Sequence, residues 1–169
     1  MHKNVKLFCE LIKKYFPQYF TGVNVLDCGC LDINGNNRYL FESSNYFGID
    51  IVNGPNVDFV TMVHEFDPGQ CFDVVISTEM LEHDSYYSES LAQMFKLTRN
   101  GGLLLFTAAG IGREEHGTSN HNPQDSPLTN AYYRNVTAAM IVGSFDLSKF
   151  SWFEISYMGT DIRFAGIKR

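Results

Sequence analysis

A mostly parallel α/β sheet, doubly wound between helices, is predicted by three observations on this chain. Strand-type and helix-type apolar patterns alternate along its length, the signature of a sheet built with crossover helices. An apolar strand, Val25-Leu26-Asp27-Cys28, runs into Gly29-Cys30 and a polar turn, Leu31-Asp32-Ile33-Asn34-Gly35. Glycine after a strand lets the backbone approach a ligand closely, and a helix opening there points free N–H groups at the same place. A second strand also ends on an acid, Tyr46-Phe47-Gly48-Ile49-Asp50. It lies roughly twenty residues on, the spacing at which Rossmann-type sheets place the carboxylate that takes ribose hydroxyls. The expected architecture is therefore a Rossmann-like, three-layer α/β/α fold of about seven strands with the last strand antiparallel and one face trimmed.

The elements follow in order. Phe8, Leu11, Ile12, Tyr15 and Phe16 recur at helical spacing and Pro17 stops the pattern, so residues 1–17 read as an amphipathic helix packed on the sheet. Strands are expected over residues 23–27, 46–50, 57–62, 72–77 and 102–107. Asn34 is placed to cap a helix running through Phe41. Leu91, Met94, Phe95 and Thr98 mark one face of another, which Asn100-Gly101 ends. The connections after the second and third strands are too short for long helices, which thins one face. Residues 136–142 read as a last helix. Residues 152–157 and 162–167 read as strands joined by Met158-Gly159-Thr160-Asp161, a hairpin-type link that makes the final strand antiparallel. Residues 108–134, dense in Gly, Asn, His, Pro and Ser, carry no regular period. A loop of that length in a small domain is a candidate active-site lid.

Composition bounds the function classes. The chain has 169 residues, 44% hydrophobic and 14% aromatic, enough for one sizeable core, so residues 1–169 are read as a single domain. A net charge of −6 argues against a broad phosphate-binding surface and makes a nucleic-acid partner unexpected. No apolar run is long enough to cross a bilayer, and Lys6, Glu10, Lys13 and Lys14 interrupt what would be a signal-peptide core. A cytoplasmic protein without membrane attachment is expected. Cys9, Cys28, Cys30 and Cys71 lack the spacing of a zinc knuckle or ribbon and read as buried reduced thiols.

Four ordered segments carry a family resemblance: Val25-Leu26-Asp27-Cys28-Gly29-Cys30; Gly48-Ile49-Asp50; Phe72-Asp73-Val74-Val75-Ile76-Ser77-Thr78-Glu79-Met80-Leu81-Glu82-His83; and Leu97-Thr98-Arg99-Asn100-Gly101-Gly102-Leu103-Leu104-Leu105. Together they resemble the motifs of class I S-adenosylmethionine-dependent methyltransferases over nearly the whole chain, closing helix and hairpin included. The departure is in the glycine motif, where D-x-G-x-G-x-G becomes Asp27-x-Gly29-x-Leu31-Asp32-Ile33-Asn34-Gly35, a longer turn that resembles a subset of these enzymes. There is no G-x-G-x-x-G to receive a pyrophosphate, which argues against a dinucleotide. The resemblance implies S-adenosyl-L-methionine as cofactor. Its sulfonium, zwitterionic amino acid and ribose call for small residues and carboxylates, with no basic phosphate clamp. The resemblance further implies Asp27, Gly29 and Cys30 along the methionine and ribose. It puts Asp50, followed by Ile51, on the ribose hydroxyls, Val63 and His64 beside the adenine, and Ser77, Thr78 and Glu79 near the transferred methyl.

Methyl transfer is an in-line displacement, so the protein positions the acceptor and manages its proton. His83 follows the strand end bearing Thr78 and Glu79 and has an ordinary pKa near neutrality, so His83 and Glu79 are the catalytic candidates. If residues 79–83 are helical, Glu79, Glu82 and His83 share a face suited to a divalent metal. That E-x-x-E-H pattern resembles the metal sites of small-RNA 2′-O-methyltransferases and quinone-biosynthesis O-methyltransferases. The base reading is preferred, and no metal is assigned. His116 and His121 are further bases or ligands, and Tyr132, Tyr133 and Arg134 are placed to hold a planar or anionic acceptor. The function expected is O-methyl transfer to a small polar or carbohydrate-like acceptor. The alternatives are a nucleic-acid methyltransferase, a non-catalytic cofactor-binding partner subunit, and an S-adenosylmethionine-cleaving enzyme.

Overall fold

The apolar face of the N-terminal segment settles first. In the computed structural model, which describes residues 3–126 and 128–169, helix α1 (Lys3–Tyr15) buries Val5, Phe8, Cys9 and Ile12. Leu11 and Tyr15, expected on that face, point outward and are exposed. The contact stripe is thus narrower than the run of apolar residues suggests. Pro17 opens a 3₁₀ turn at the helix end, where its missing N–H is no loss.

Seven strands follow among the described residues: β1 (Asn24–Cys28), β2 (Asn45–Asp50), β3 (Phe59–Val60), β4 (Phe72–Thr78), β5 (Thr98–Ala109), β6 (Phe150–Met158) and β7 (Asp161–Lys168). They form one sheet in the order β3-β2-β1-β4-β5-β7-β6. Pairings from β3 through β5 are parallel, and β7 runs antiparallel to both β5 and β6. The hairpin link pairs Met158 with Asp161 across Gly159 and Thr160, as its turn residues predict. Strand β3 is shorter than expected: only Phe59 and Val60 pair, and both are exposed at the sheet edge.

Side chains alternate across the central strands. From β4 and β5, Val74, Ile76, Leu103 and Leu105 pack with α1 on one side, while Val75, Leu104, Phe106 and Ala108 pack on the other. That second side is covered by α2 (Tyr87–Leu97) and α3 (Ala138–Ser144), the latter capped by Thr137, which accepts from the Met140 N–H. Phe106 stacks on Phe164 with centroids 4.9 Å apart. The α1 side is the trimmed one, completed by 3₁₀ turns instead of further helices.

Two local expectations are corrected. Residues 34–41 form a short 3₁₀ turn, Arg38–Leu40, in place of an α-helix. Asp32 accepts from the Gly35 N–H at 2.7 Å and from Asn36 Nδ2 at 2.6 Å, and Asn36 Oδ1 accepts from the Arg38 N–H at 3.0 Å. These side chains offer the backbone a competing set of hydrogen bonds that a helical ladder would break. At the other end, α2 stops at Leu97 before Asn100-Gly101 is reached. Thr98 Oγ1 donates to Met94 O at 2.8 Å, and Thr98 already pairs with Phe72, so the Asn-Gly pair sits in an irregularity of β5. The thiols divide as well: Cys9, Cys28 and Cys30 are buried and free, but Cys71 is exposed. Among the described residues no helix is long and apolar enough to cross a membrane.

The fold assigns unequal weight to apolar residues. Phe106→Ala is expected to lower unfolding free energy by about 3–5 kcal/mol in urea titrations. Leu11→Ala is expected to change it by no more than about 0.5 kcal/mol. A large loss at Leu11 would contradict the orientation of α1.

Candidate active site

Strands β1, β2, β4 and β5 end at one edge, and a cleft of about 770 Å³ opens there, within the range of pockets that enclose small ligands. Its floor is the turn after β1. Gly29 sits at φ +75°, and a Cβ there would lie 2.4 Å from Met80 Cγ, so the residue type is fixed by conformation and by close approach. The turn is stitched to β2: the Gly29 and Cys30 N–H groups donate to Ile49 O at 2.9 and 3.2 Å. Asp50, at the end of β2, accepts from the Leu31 N–H through Oδ2 at 3.1 Å and from the Val52 N–H through Oδ1 at 3.0 Å. Each oxygen keeps a lone pair for a hydroxyl in the cleft.

Asp27 is the most constrained charge. It is 1% exposed, and burial pushes its carboxyl up to about 7, opposed by the Tyr46 hydroxyl and the Asn37 amide. Asn37 Nδ2 lies 3.1 and 3.2 Å from the two carboxylate oxygens and 3.1 Å from Thr78 Oγ1. Tyr46 donates its hydroxyl to Oδ2 of the same group. Asn37 Oδ1 is buried with no hydrogen-bond partner among the described residues, which leaves an acceptor beside a carboxylate, a combination suited to a ligand ammonium. Burial raises the Cys30 thiol, and the charge of Asp27 adds to it. The thiol stays protonated and donates to Asn56 O at 3.2 Å.

On the far side, the His64 ring lies 4.5 Å from that of Tyr86, centroid to centroid, and both line the cleft. Glu79 takes a left-handed backbone, φ 58°, where a non-glycine residue stores strain of about 1–3 kcal/mol of the kind concentrated at functional sites. Thr107 holds it there, accepting the Glu79 N–H at 3.0 Å and donating Oγ1 to Glu79 Oε1 at 2.8 Å. Residues 81–83 are a 3₁₀ turn, so Glu79, Glu82 and His83 do not share one α-helical face. Instead Glu82 and His83 meet His116 from the loop. Burial depresses His83 to about 4, with His116 adding to the effect, and the imidazole is neutral at physiological pH.

Residues 1–141 match the family described as Methyltransferase domain. The chain belongs to that methyltransferase family. No protein of curated function matches the sequence. Among solved structures, the Burkholderia thailandensis 1,6-didemethyltoxoflavin-N1-methyltransferase, with its substrate and S-adenosylhomocysteine bound, is 14% identical. It has a TM-score of 0.67, over 97% of this chain and 77% of that one. The N-terminal domain of EvdMO1, solved in the presence of S-adenosylhomocysteine and D-fucose, is 17% identical, with a TM-score of 0.66, over 99% and 84%. Haemonchus contortus phosphoethanolamine N-methyltransferase 2, solved with S-adenosyl-L-methionine, is also 17% identical, with a TM-score of 0.65, over 96% of this chain. The chain spans about half of that protein, 52%. These likenesses establish the class I methyltransferase fold.

In this methyltransferase the residues singled out from sequence gather at the cleft. Asp27, Gly29, Cys30, Asp50, Ile51, Val63, His64, Thr78, Glu79 and His83 all line it. Ser77 does not: it is fully buried behind the cleft and donates to Cys28 O at 2.7 Å. From the loop, His116 and Tyr132 line the cleft. Tyr133 packs on His83, with centroids 5.5 Å apart. Arg134 has an exposed side chain and donates its N–H to Glu82 O. His121 is exposed and pairs with Glu115 at 3.7 Å, outside this cleft. Sequence reading missed Asn37, Tyr46 and Arg113. Asn37 and Tyr46 matter through Asp27, a contact across strands that no local pattern announces. Arg113 lines the cleft while paired to Asp161 at 3.1 Å.

The buried Asp27 gives the unliganded protein a characteristic pH response. Its folded pKa of about 7 exceeds the ordinary 3.8, so between those values the native state holds the extra proton and stability falls as pH rises. In Asp27→Asn that share of the decline, on the order of 2–4 kcal/mol, is expected to vanish. Urea midpoints of both proteins at pH 5 and pH 8 measure it.

Proposed function

We propose that the chain transfers a methyl group from S-adenosylmethionine to an oxygen of a small polar, carbohydrate-like acceptor, acting as one domain with residues 108–134 as its lid. The observation that carries this reading is the pairing of two acidic strand ends, Asp27 and Asp50, on one cleft whose wall beyond Glu79 and His83 is polar loop. When bound, the cofactor supplies an electrophilic methyl on its sulfonium.

The residues divide the work. Asp50 accepts the ribose hydroxyls on the lone pairs its backbone bonds leave open. Asp27 and Asn37 Oδ1 receive the ammonium, whose charge favours the ionised form of Asp27 that burial disfavours. Val63, His64 and Ile51 flank the adenine. Thr78 and Glu79 stand at the transfer point, and the corner formed by Glu79 and His83 handles the acceptor proton. Ser126, Thr129 and Tyr132 line the loop side of the cleft and offer hydroxyls to a hydroxylated acceptor. The D-fucose present with EvdMO1 supports a carbohydrate-like acceptor, and the net charge of −6 supports a small molecule over nucleic acid.

Calorimetry is expected to show binding of S-adenosylmethionine, weakened in Asp50→Ala by about 1–3 kcal/mol because a charge-assisted contact is lost. Release of S-adenosylhomocysteine in the presence of sugars or polyols, with none from simple amines, identifies the oxygen acceptor. Binding of NAD without S-adenosylmethionine would overturn the cofactor, and turnover of amines alone would overturn the acceptor atom. Hydrogen exchange over residues 108–134 is expected to slow when cofactor is added, and equal protection in both states would remove the lid.

A further inference from the structure

Glu82, His83 and His116 each offer a ligand atom, and these atoms lie within 4.8 Å of one another. Glu82 is the informative member. It is 0% exposed, and neither carboxylate oxygen makes a hydrogen bond of regular geometry among the described residues. Burial pushes its pKa well up and the charge of Glu79 adds to this, while the nearby amides of Glu82 and Ala109 and the charge of Arg113 offset it only in part. A buried carboxyl left this way costs free energy that native structures normally avoid by pairing it or by binding a metal. The Nδ1 atom of His83 is likewise buried without a hydrogen-bond partner among the described residues.

The third donor is already aimed. His116 Nε2 lies 4.0 Å from Glu82 Oε1, and its Nδ1 lies 3.1 Å from Glu114 O. A carbonyl oxygen only accepts, so Nδ1 carries the hydrogen, and Nε2, the nitrogen that faces Glu82, is the one that can ligate a metal. This is the outer-shell arrangement that orients ligating histidines. Tyr133 packs its ring on both histidines and donates its hydroxyl to the same Glu114 carbonyl at 3.1 Å. Next to His116, Gly117 sits at φ +61°, and a Cβ there would fall 2.8 Å from His83 Cε1, so only glycine lets the loop close on the ring. His83 and His116 line the cleft, which provides the entry path.

We propose that Glu82, His83 and His116 bind one divalent transition-metal ion at the acceptor end of the cleft. Two imidazoles with one carboxylate favour Mn²⁺, Fe²⁺, Co²⁺, Ni²⁺ or Zn²⁺ over Mg²⁺ and Ca²⁺, and leave positions open for an oxygen ligand. The ion's role rests on the methyl-transfer reading above: beside an acceptor hydroxyl it lowers the cost of ionising that group. Its binding does not rest on that reading.

The test is calorimetry of chelator-treated full-length protein with Mn²⁺ and with Zn²⁺, alongside S-adenosylmethionine titrated without metal. One saturable metal site is expected. It should be weakened in Glu82→Gln and in His116→Ala by more than the roughly 10–100-fold that loss of an outer-shell partner costs. Cys71→Ser should leave it unchanged, which excludes capture by the exposed thiol. Glu82→Gln replaces a buried carboxyl by an amide, so its thermal midpoint without metal should equal or exceed the wild type, while only the wild type gains on adding the ion. Absence of saturable binding in the wild type, or binding in both cluster variants as tight as in the wild type, overturns the proposal even if the cofactor binds. Loss of cofactor binding with metal binding intact overturns the methyl-transfer reading alone.

Discussion

The carboxylate of Asp27 is buried among uncharged partners, and the carboxyl edge of the sheet is organised around satisfying it. Tyr46 reaches it from the start of β2, Asn37 from the turn after β1, and Asn37 continues to Thr78 at the end of β4. One acidic side chain thereby ties two neighbouring strands and the intervening turn to β1. Among the described residues its hydrogen-bond partners are uncharged, and these bonds with the more distant charge of Arg38 offset burial only in part, so its pKa is lifted to about 7. A site built this way is mismatched when empty and better matched once a positive group lies beside it.

The thin face of the sheet follows from the same region. Where the sequence pattern suggests an α-helix after β1, Asp32 and Asn36 capture the backbone and leave a turn. That turn does what a helix N-terminus does elsewhere: it lays backbone N–H groups and small residues along the cleft. Asp50 is held by one of those N–H groups, at Leu31, and by the Val52 N–H just beyond β2, so its carboxylate is oriented before any ligand arrives. Economy of secondary structure has not loosened the floor of the site.

At the opposite end the cleft is made by contacts between distant segments. Thr107 fixes the strained Glu79, the Arg134 N–H ties the returning loop to Glu82 O, and Tyr133 wedges against both histidines. Neutral His83 and buried Glu82 are products of this packing. Their ordinary pKa values give no hint of it.

Local pattern alone determined the alternation of strands and helices, the turn at Gly29, the acid at the end of β2, the closing hairpin and the match to the methyltransferase motifs. Each is written in short-range periodicity or in a residue whose conformation is special. Tertiary structure decided what long-range contacts decide. Tyr46 serves Asp27 because the pairing of β1 with β2 brings it there, and Asn37 because the turn after β1 folds back over the strand ends. Residues 34–41 refuse the helix because side-chain hydrogen bonds outcompete it. Ser77 lies behind the cleft because strand alternation turns its side chain inward. The E-x-x-E-H spacing suggested Glu79 as the partner of Glu82 and His83, but a left-handed residue at Glu79 breaks the helical face. His116 instead takes the third position, thirty-three residues beyond His83 in sequence, because the loop folds back over the cleft.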